Sequence, residues 1–145
     1  MTKNEIIKQL YDITNDLVIV GGTAQVFFGK KETAKDIDIV VTEFHRDFFT
    51  LGKVYFWKTN SPLSASGKRA FIKRGDFNID IFIEKKLPTY FNFDKNIKYE
   101  TIQSMIKYYE RIYVLYDKKR NWKQIRSIEK KYELIGGDVK YLQSL

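Results

Sequence analysis

The chain has no cysteine and very little histidine or proline. Among its 145 residues are one histidine, His45, and two prolines, Pro62 and Pro88. The absence of cysteine excludes disulfides, thiol catalysis and zinc–thiolate sites. A single histidine excludes a histidine metal cluster and a pair of histidines acting as acid and base.

Long apolar runs are absent as well. No run approaches the roughly 18 residues that a membrane-spanning helix needs. The segment MTKNEIIKQL is polar and amphipathic and has no apolar centre of the kind found in signal peptides. The length is that of one domain. We therefore expect a soluble, cytoplasmic protein with no membrane partner.

Basic residues are abundant. Lys and Arg number 26 against 18 Asp and Glu, which gives a formal net charge of +8. This balance suits polyanionic partners such as nucleic acid or nucleoside phosphates. Lys is more frequent than Arg, and the residues Ile, Tyr, Phe and Asn are also plentiful. An AT-rich genome would produce the same composition, so the net charge alone leaves nucleic-acid binding open.

The hydrophobic pattern alternates between helical and strand periods. This order predicts an α/β (α+β) domain in which a single mixed sheet of about four to five strands is flanked by helices, with further helices at the C-terminus. Helices are predicted over 3–13, from Thr23 to about Gly29, over 45–51, 100–116 and 122–134, strands over 17–20, 36–41, 54–58, 69–73 and 77–83, a polar loop over 60–67 and a basic tail at the end.

Two aspartates interrupt an apolar strand. Period two places Asp36 and Asp38 on one face, where like charges repel unless something compensates for them. Asp80 occupies an equivalent place in the later strand pattern. If the two strands pair, three carboxylates converge, and hard oxygen ligands of this kind suit Mg²⁺ or Mn²⁺. The alternative is that the aspartates lie on a solvated sheet face.

A pair of glycines, Gly21 and Gly22, ends a buried strand and precedes a helix. Glycine there allows a ligand to approach the backbone closely. The amides of Gly22, Thr23 and Ala24 would then lie at a helix N-terminus, where anions bind readily, and the Thr23 hydroxyl could join them. The alternative is a tight strand-to-helix turn without a ligand, and the pattern does not fit the dinucleotide fingerprint.

Taken together, the motifs Val20-Gly21-Gly22 and Asp36-Ile37-Asp38-Ile39, followed by Asp80, resemble those of the DNA-polymerase-β-like nucleotidyltransferase superfamily. The stretch around Gly-Gly-Thr-Ala is most similar to small bacterial members, the minimal and toxin-type transferases. The resemblance covers roughly 4–85. It implies the nucleotidyltransferase fold, with a catalytic core over 1–95. Beyond the core, the helical pattern predicts a C-terminal segment, 96–145, packed on it as part of one compact domain.

The resemblance also implies roles for individual residues. Gly21, Gly22 and Thr23 would hold the phosphates of an NTP, and Lys35, in a segment that also contains Lys30 and Lys31, would assist them. Asp36, Asp38 and Asp80 would bind two Mg²⁺ or Mn²⁺ ions, and Asp80 would help deprotonate the acceptor hydroxyl. The C-terminal helices, with tyrosines such as Tyr109, would supply the other wall of the cleft.

Three functions remain open at this point. The first is an enzyme that moves NMP from an NTP to a hydroxyl of RNA or another nucleic acid, of a small molecule or of a protein. The second is a non-catalytic relative that binds nucleic acid or a protein partner in a toxin–antitoxin or defence pair. The third is a plain interaction module whose aspartates face solvent.

Overall fold

Secondary structure in the computed structural model, which describes residues 1–58, 68–94 and 96–145, follows local sequence signals closely. Thr2 and Glu5 form a reciprocal capping box at the first helix, which therefore begins where predicted. The elements are α1 (Lys3–Ile13), β1 (Val18–Val20), α2 (Gly21–Phe27), β2 (Ile37–Val41), a 3₁₀ helix (Arg46–Thr50), β3 (Val54–Lys58), β4 (Lys68–Arg74), β5 (Phe77–Ile83), β6 (Tyr90–Phe93), β7 (Ile97–Glu100), α3 (Ile102–Lys118), α4 (Trp122–Leu134) and α5 (Val139–Gln143).

The described strands form one mixed sheet in the order β3-β4-β5-β2-β1-β7-β6. Strand β1 is antiparallel to β2 and parallel to β7, and β2 is parallel to β5. The mixed helix-and-strand class is as predicted, but the prediction of four to five strands was wrong, since seven strands occur in the part of the chain that is described. The two extra strands are β6 and β7.

Both missed strands have a physical reason for being missed. Strand β6 is exposed along its whole length, so it lacks the alternation that marks a half-buried strand. Strand β7 is only four residues long and is followed almost directly by α3, so its apolar residues merged with the helical pattern. The helix predicted over 100–116 therefore begins later, at Ile102, with Thr101 as its N-cap.

Other boundaries also differ from prediction. Helix α2 begins at Gly21 instead of after Thr23, and no side chain caps it. The predicted basic tail contains the short helix α5, which Asp138 caps through its carboxylate. The loop predicted over 60–67 lies outside the described residues. The division at residue 95 stays a prediction, although β7 in the C-terminal segment pairs with β1 in the central sheet.

The two faces of the sheet differ in character. One face carries fully buried isoleucines, such as Ile39 and Ile81, which belong to the main core together with Ile6 and Leu10 of α1. The other face carries Asp38 and a smaller apolar cluster of Val18, Val20 and Val40. No helix within the described ranges is long and apolar enough to cross a membrane.

Candidate functional site

Asp38 and Asp80 lie beside each other in the centre of the sheet. They are register partners on the parallel strands β2 and β5. Their chain neighbours Ile37, Ile39, Ile79 and Ile81 are fully buried on the core face. Because side chains alternate along a strand, both carboxylates project from the opposite face. The strands β2 and β5 therefore pair, which was the condition for the carboxylates to lie close together.

The Asp38 carboxyl is unusually hard to ionise. Burial, then the nearby Asp80 through its charge and a hydrogen bond, and then Asp36 together raise its pKa to about 7, while Arg69 acts in the opposite direction. Two carboxyl groups in such contact favour a shared proton over two full charges. Any cation that binds beside them would therefore displace that proton.

Arg69 on β4 contacts the far side of the pair. Its Nη2 lies 3.1 Å from Asp80 Oδ1, and its guanidinium lies 4.6 Å from the ring centre of Phe82. Its Nε is buried and has no hydrogen-bond partner among the described residues. Arg69 was not among the residues predicted from the sequence. The hairpin turn at Gly75 would have provided the signal, because the register it sets places Arg69 opposite Phe82, two residues from Asp80.

Gly21 is required where the chain leaves β1. Its φ of +61° lies in the left-handed region, and a Cβ at this position would lie 2.4 Å from Asp38 Oδ2. A Cβ on Gly22 would lie 3.2 Å from Ala34 Cβ and 3.5 Å from Lys31 Nζ. Gly21 therefore allows the backbone to pass directly against the Asp38 carboxylate, and Gly22 allows it to pass close to Ala34.

Asp36 precedes β2 and is positioned by Thr23. The Thr23 hydroxyl donates a hydrogen bond of 2.8 Å to the Asp36 carbonyl oxygen, and Thr23 itself is buried. In this arrangement the hydroxyl fixes the segment that carries Asp36, and its predicted contact with phosphate stays a prediction. Asp36 Oδ1 is buried and accepts no hydrogen bond within the described part of the chain.

A cavity of about 310 Å³ opens beside Asp36 and Asp38. Two lysines of the segment before β2 and one of α4 line it, together with both glycines and two further residues of the C-terminal helices: Gly21, Gly22, Lys31, Lys35, Tyr109, Lys131 and Leu134. The C-terminal helices thus form a wall of the cavity, as predicted. Lys131 was missed because nothing in the sequence links α4 to a turn about a hundred residues earlier.

Two further contacts support this cavity. Gln25 Nε2 donates a hydrogen bond of 3.1 Å to the Tyr109 hydroxyl, which joins α2 to α3 at the cavity that both residues line. Lys3 Nζ donates to the Ala34 carbonyl oxygen. Burial lowers the pKa of Lys3, and the negative charges of Asp36 and Asp38 oppose that shift. Lys3 therefore adds a cation to the edge of the site that sequence reasoning did not identify.

The donor atoms suit a hard divalent cation. Carboxylate oxygens are the ligands that Mg²⁺ and Mn²⁺ prefer, and the buried Asp36 Oδ1 needs a donor or a cation. Within the described ranges, no group of three or more Asp, Glu, His or Cys side chains is spaced to hold a metal ion. The donor chemistry therefore fits, while a compact three-carboxylate group is not formed and Arg69 already pairs with Asp80.

Comparison with known proteins gives no match: no protein-family model, curated protein or solved structure matches this chain. The resemblance to the DNA-polymerase-β-like superfamily therefore stays a prediction from the Gly21-Gly22 and Asp36-Ile37-Asp38 motifs. A function for the chain has to be argued from the geometry of its own residues.

Proposed function

We propose that this protein is a metal-dependent nucleotidyltransferase, which moves NMP from an NTP to an acceptor hydroxyl and releases pyrophosphate. One observation carries the proposal. Asp38 and Asp80 are register partners at the sheet centre, and Asp38 borders a lysine-lined cavity. Paired carboxylates beside a basic cavity suit a cation-bound polyphosphate. The carboxylates compensate the charge of the cation, and the lysines compensate the charge of the phosphates.

The cavity fits the triphosphate half of the substrate. Lys31, Lys35 and Lys131 place three positive charges around it. A triphosphate carries about four negative charges, so the lysines and carboxylate-bound cations together would neutralise it. The volume of about 310 Å³ is at the lower end of small-molecule pockets, which suits a phosphate chain with the base outside.

The reaction balances without any further reagent. The acceptor oxygen forms a bond to the α-phosphorus, the bond from that phosphorus to the oxygen bridging to the β-phosphate breaks, and pyrophosphate departs. The hydroxyl proton passes to a carboxylate, for which Asp80 is the proposed residue, and then to water. Mg²⁺ or Mn²⁺, held by Asp36, Asp38 and Asp80, would supply the charge that stabilises the attacking and leaving oxygens.

A second function is supported by the ion pair of Arg69 and Asp80. A carboxylate held at 3.1 Å by a guanidinium has less need of a metal ion. In that case the chain would be a non-catalytic protein that binds nucleic acid or a protein partner through its basic surface. Metal-dependent NTP binding separates the two functions, because only the transferase requires it.

The proposal is tested by transfer of label from α-labelled NTPs. The full chain would be incubated with Mg²⁺ or Mn²⁺ and with separate pools of RNA, single-stranded DNA, protein and small polyols. We expect label on one pool with the wild type and with Asp12→Asn, a control on the exposed side of α1, but not with Asp38→Asn. Equal labelling by Asp38→Asn, or labelling by none of the proteins, would overturn the proposal.

A further inference from the structure

One face of the paired strands β3 and β4 combines aromatic and basic side chains. Tyr55 and Trp57 of β3 are register partners of Phe71 and Arg69 of β4, so their side chains share a face. Lys53, two residues before Tyr55, continues the pattern, with its Nζ 5.3 Å from the Tyr55 ring centre. We call these six residues the hairpin platform: Lys53, Tyr55, Trp57, Arg69, Phe71 and Lys73.

The hairpin platform adjoins the carboxylates directly. Phe71 is the register partner of Asp80, and Asp80 is the partner of Asp38. A single row of side chains therefore crosses the sheet from Tyr55 through Phe71 and Asp80 to Asp38. The platform lies on the Asp80 side of this row, and the lysine-lined cavity lies on the Asp38 side.

The rings of the platform are open to a ligand. Tyr55 is 46% exposed and Trp57 is 48% exposed, although both are large aromatic residues. The planes of the Trp57 and Phe71 rings are nearly parallel, with an interplanar angle of 25° and centroids 6.1 Å apart. Arg69 lies 5.8 Å from the Trp57 ring centre, so one of the cations is held among the rings.

Two exposed lysines, Lys53 and Lys73, lie on one face with three aromatic rings and with Arg69, which is already paired with Asp80. This combination favours one kind of partner. Unpaired bases stack on aromatic side chains, and Lys and Arg contact the phosphates between them. In a duplex the base faces are covered by their neighbours, so such a platform selects single strands. An acidic partner protein would use the cations but would leave the exposed rings of Tyr55 and Trp57 without a matching group.

We propose that the hairpin platform binds single-stranded nucleic acid by stacking its bases on Tyr55 and Trp57. The strand would run towards Asp80, opposite the cavity that suits the triphosphate. That the bound strand is the acceptor, with its terminal hydroxyl near Asp80, rests on the proposed nucleotidyl transfer. Binding by the platform does not depend on that function.

The chain allows a direct optical test because it contains only two tryptophans, Trp57 and Trp122. Trp122→Phe leaves Trp57 as the sole tryptophan reporter. Its fluorescence would be titrated with a single-stranded RNA of about 12 nucleotides, with DNA of the same sequence and with the duplex, in buffer containing EDTA. We expect both single strands to quench Trp57 and the duplex to bind at least about tenfold more weakly.

Affinity measurements on variants provide the matched control. Trp57→Ala should weaken single-strand binding by about fivefold to a hundredfold, the range expected for the loss of one stacked base. Trp122→Ala removes an equally exposed tryptophan, 54% exposed on α4, and should change affinity by less than about twofold. Anisotropy of a labelled strand would report both affinities.

Three results would overturn the inference: no binding of single strands, equal losses for the two tryptophan variants, or equal affinity for the duplex. Because EDTA prevents transfer, these results are independent of the enzymatic proposal. Specific binding through Trp57 without any label transfer would support the platform and contradict the transferase. Transfer to a small polyol, with no strand binding, would support the transferase and contradict the platform.

Discussion

Asp38 and Asp80 occupy facing positions on two neighbouring parallel strands, where a carboxylate pair is costly to bury. Three features reduce that cost. The first is a bound proton, because burial and the neighbouring Asp80 raise the pKa of Asp38 to about 7. Arg69 neutralises Asp80, and Lys3 lies near enough for its charge to interact with that of Asp38. A carboxyl whose pKa is raised by burial and by a neighbouring carboxyl is a candidate functional group.

Replacing Asp38 by Asn should stabilise the fold above neutral pH. The pKa of Asp38 is raised on folding, so its ionisation reduces stability as pH rises from about 4 through 7. Asp38→Asn removes that penalty and should raise the free energy of unfolding by about 1–3 kcal/mol at pH 8 and by less at pH 5. Urea denaturation at both pH values measures this difference. A stabilisation independent of pH, or one matched by Asp12→Asn, would contradict it.

Gly21 and Gly75 offer a matched pair of substitutions, because both have a φ of +61°. An added Cβ meets Asp38 Oδ2 at Gly21 and nothing within 4 Å at Gly75. Each change to Ala should cost about 1–2 kcal/mol for the left-handed backbone. Only Gly21→Ala should also turn the Asp38 carboxylate away and reduce label transfer, by about tenfold or more. Equal transfer by the two variants would show that the close approach has no functional role.

Arg69 should stabilise the site through its contact with Asp80. Arg69→Gln leaves a mostly buried carboxylate without its cation and should cost about 2 kcal/mol at pH 8. Lys73→Gln removes an exposed cation from the same face of β4 and should change stability by less than about 0.5 kcal/mol. Combining Arg69→Gln with Asp80→Asn should recover part of the loss. If the two changes are additive, the pair is not coupled.

Glu100 gives the protein a second pH-dependent term, away from the proposed metal ligands. It is buried at the end of β7, and burial raises the pKa of its carboxyl to about 7, while the hydrogen bond donated by Ser104 Oγ at 2.7 Å opposes the shift. Stability should therefore fall as pH rises from about 4.5 through 7, by up to about 3 kcal/mol. Glu100→Gln should flatten this part of the stability curve.

The matched control is Glu133→Gln on the exposed side of α4. It should leave the slope of stability against pH unchanged between pH 5 and about 8. The slopes would be obtained from urea midpoints across that range. If Glu100→Gln retains the wild-type slope, Glu100 does not titrate there in the folded protein.

The sequence was sufficient to predict the two strands that carry Asp38 and Asp80, but not that these strands pair. Alternation in Ile37-Asp38-Ile39 and around Asp80 defined two strands with buried isoleucines on one face, and burial then left Asp38 and Asp80 on the other. Such a pattern is strong because slipping either strand by one residue would bury the charges. The hairpin at Gly75 was equally clear, because a glycine with positive φ is required there.

The remaining features depend on contacts between distant segments. Lys3, Arg69 and Lys131 reach the site from α1, β4 and α4. In a chain with many basic residues, the local sequence around a lysine or arginine does not show which distant residues it contacts. Strand β6 was missed because its residues are all exposed. Helix α2 begins earlier than predicted because the glycines themselves enter the helix, and the Thr23 hydroxyl bonds to Asp36 instead of capping it.

The most direct test is binding of Mn²⁺ to the carboxylate pair, measured by electron paramagnetic resonance in the presence of a non-hydrolysable NTP analogue. We predict that the wild type and Asp12→Asn bind the ion with similar affinity. Asp38→Asn and Asp80→Asn should each bind it at least about tenfold more weakly. Equal Mn²⁺ binding by all four proteins would contradict the claim that Asp38 and Asp80 form a metal–triphosphate site.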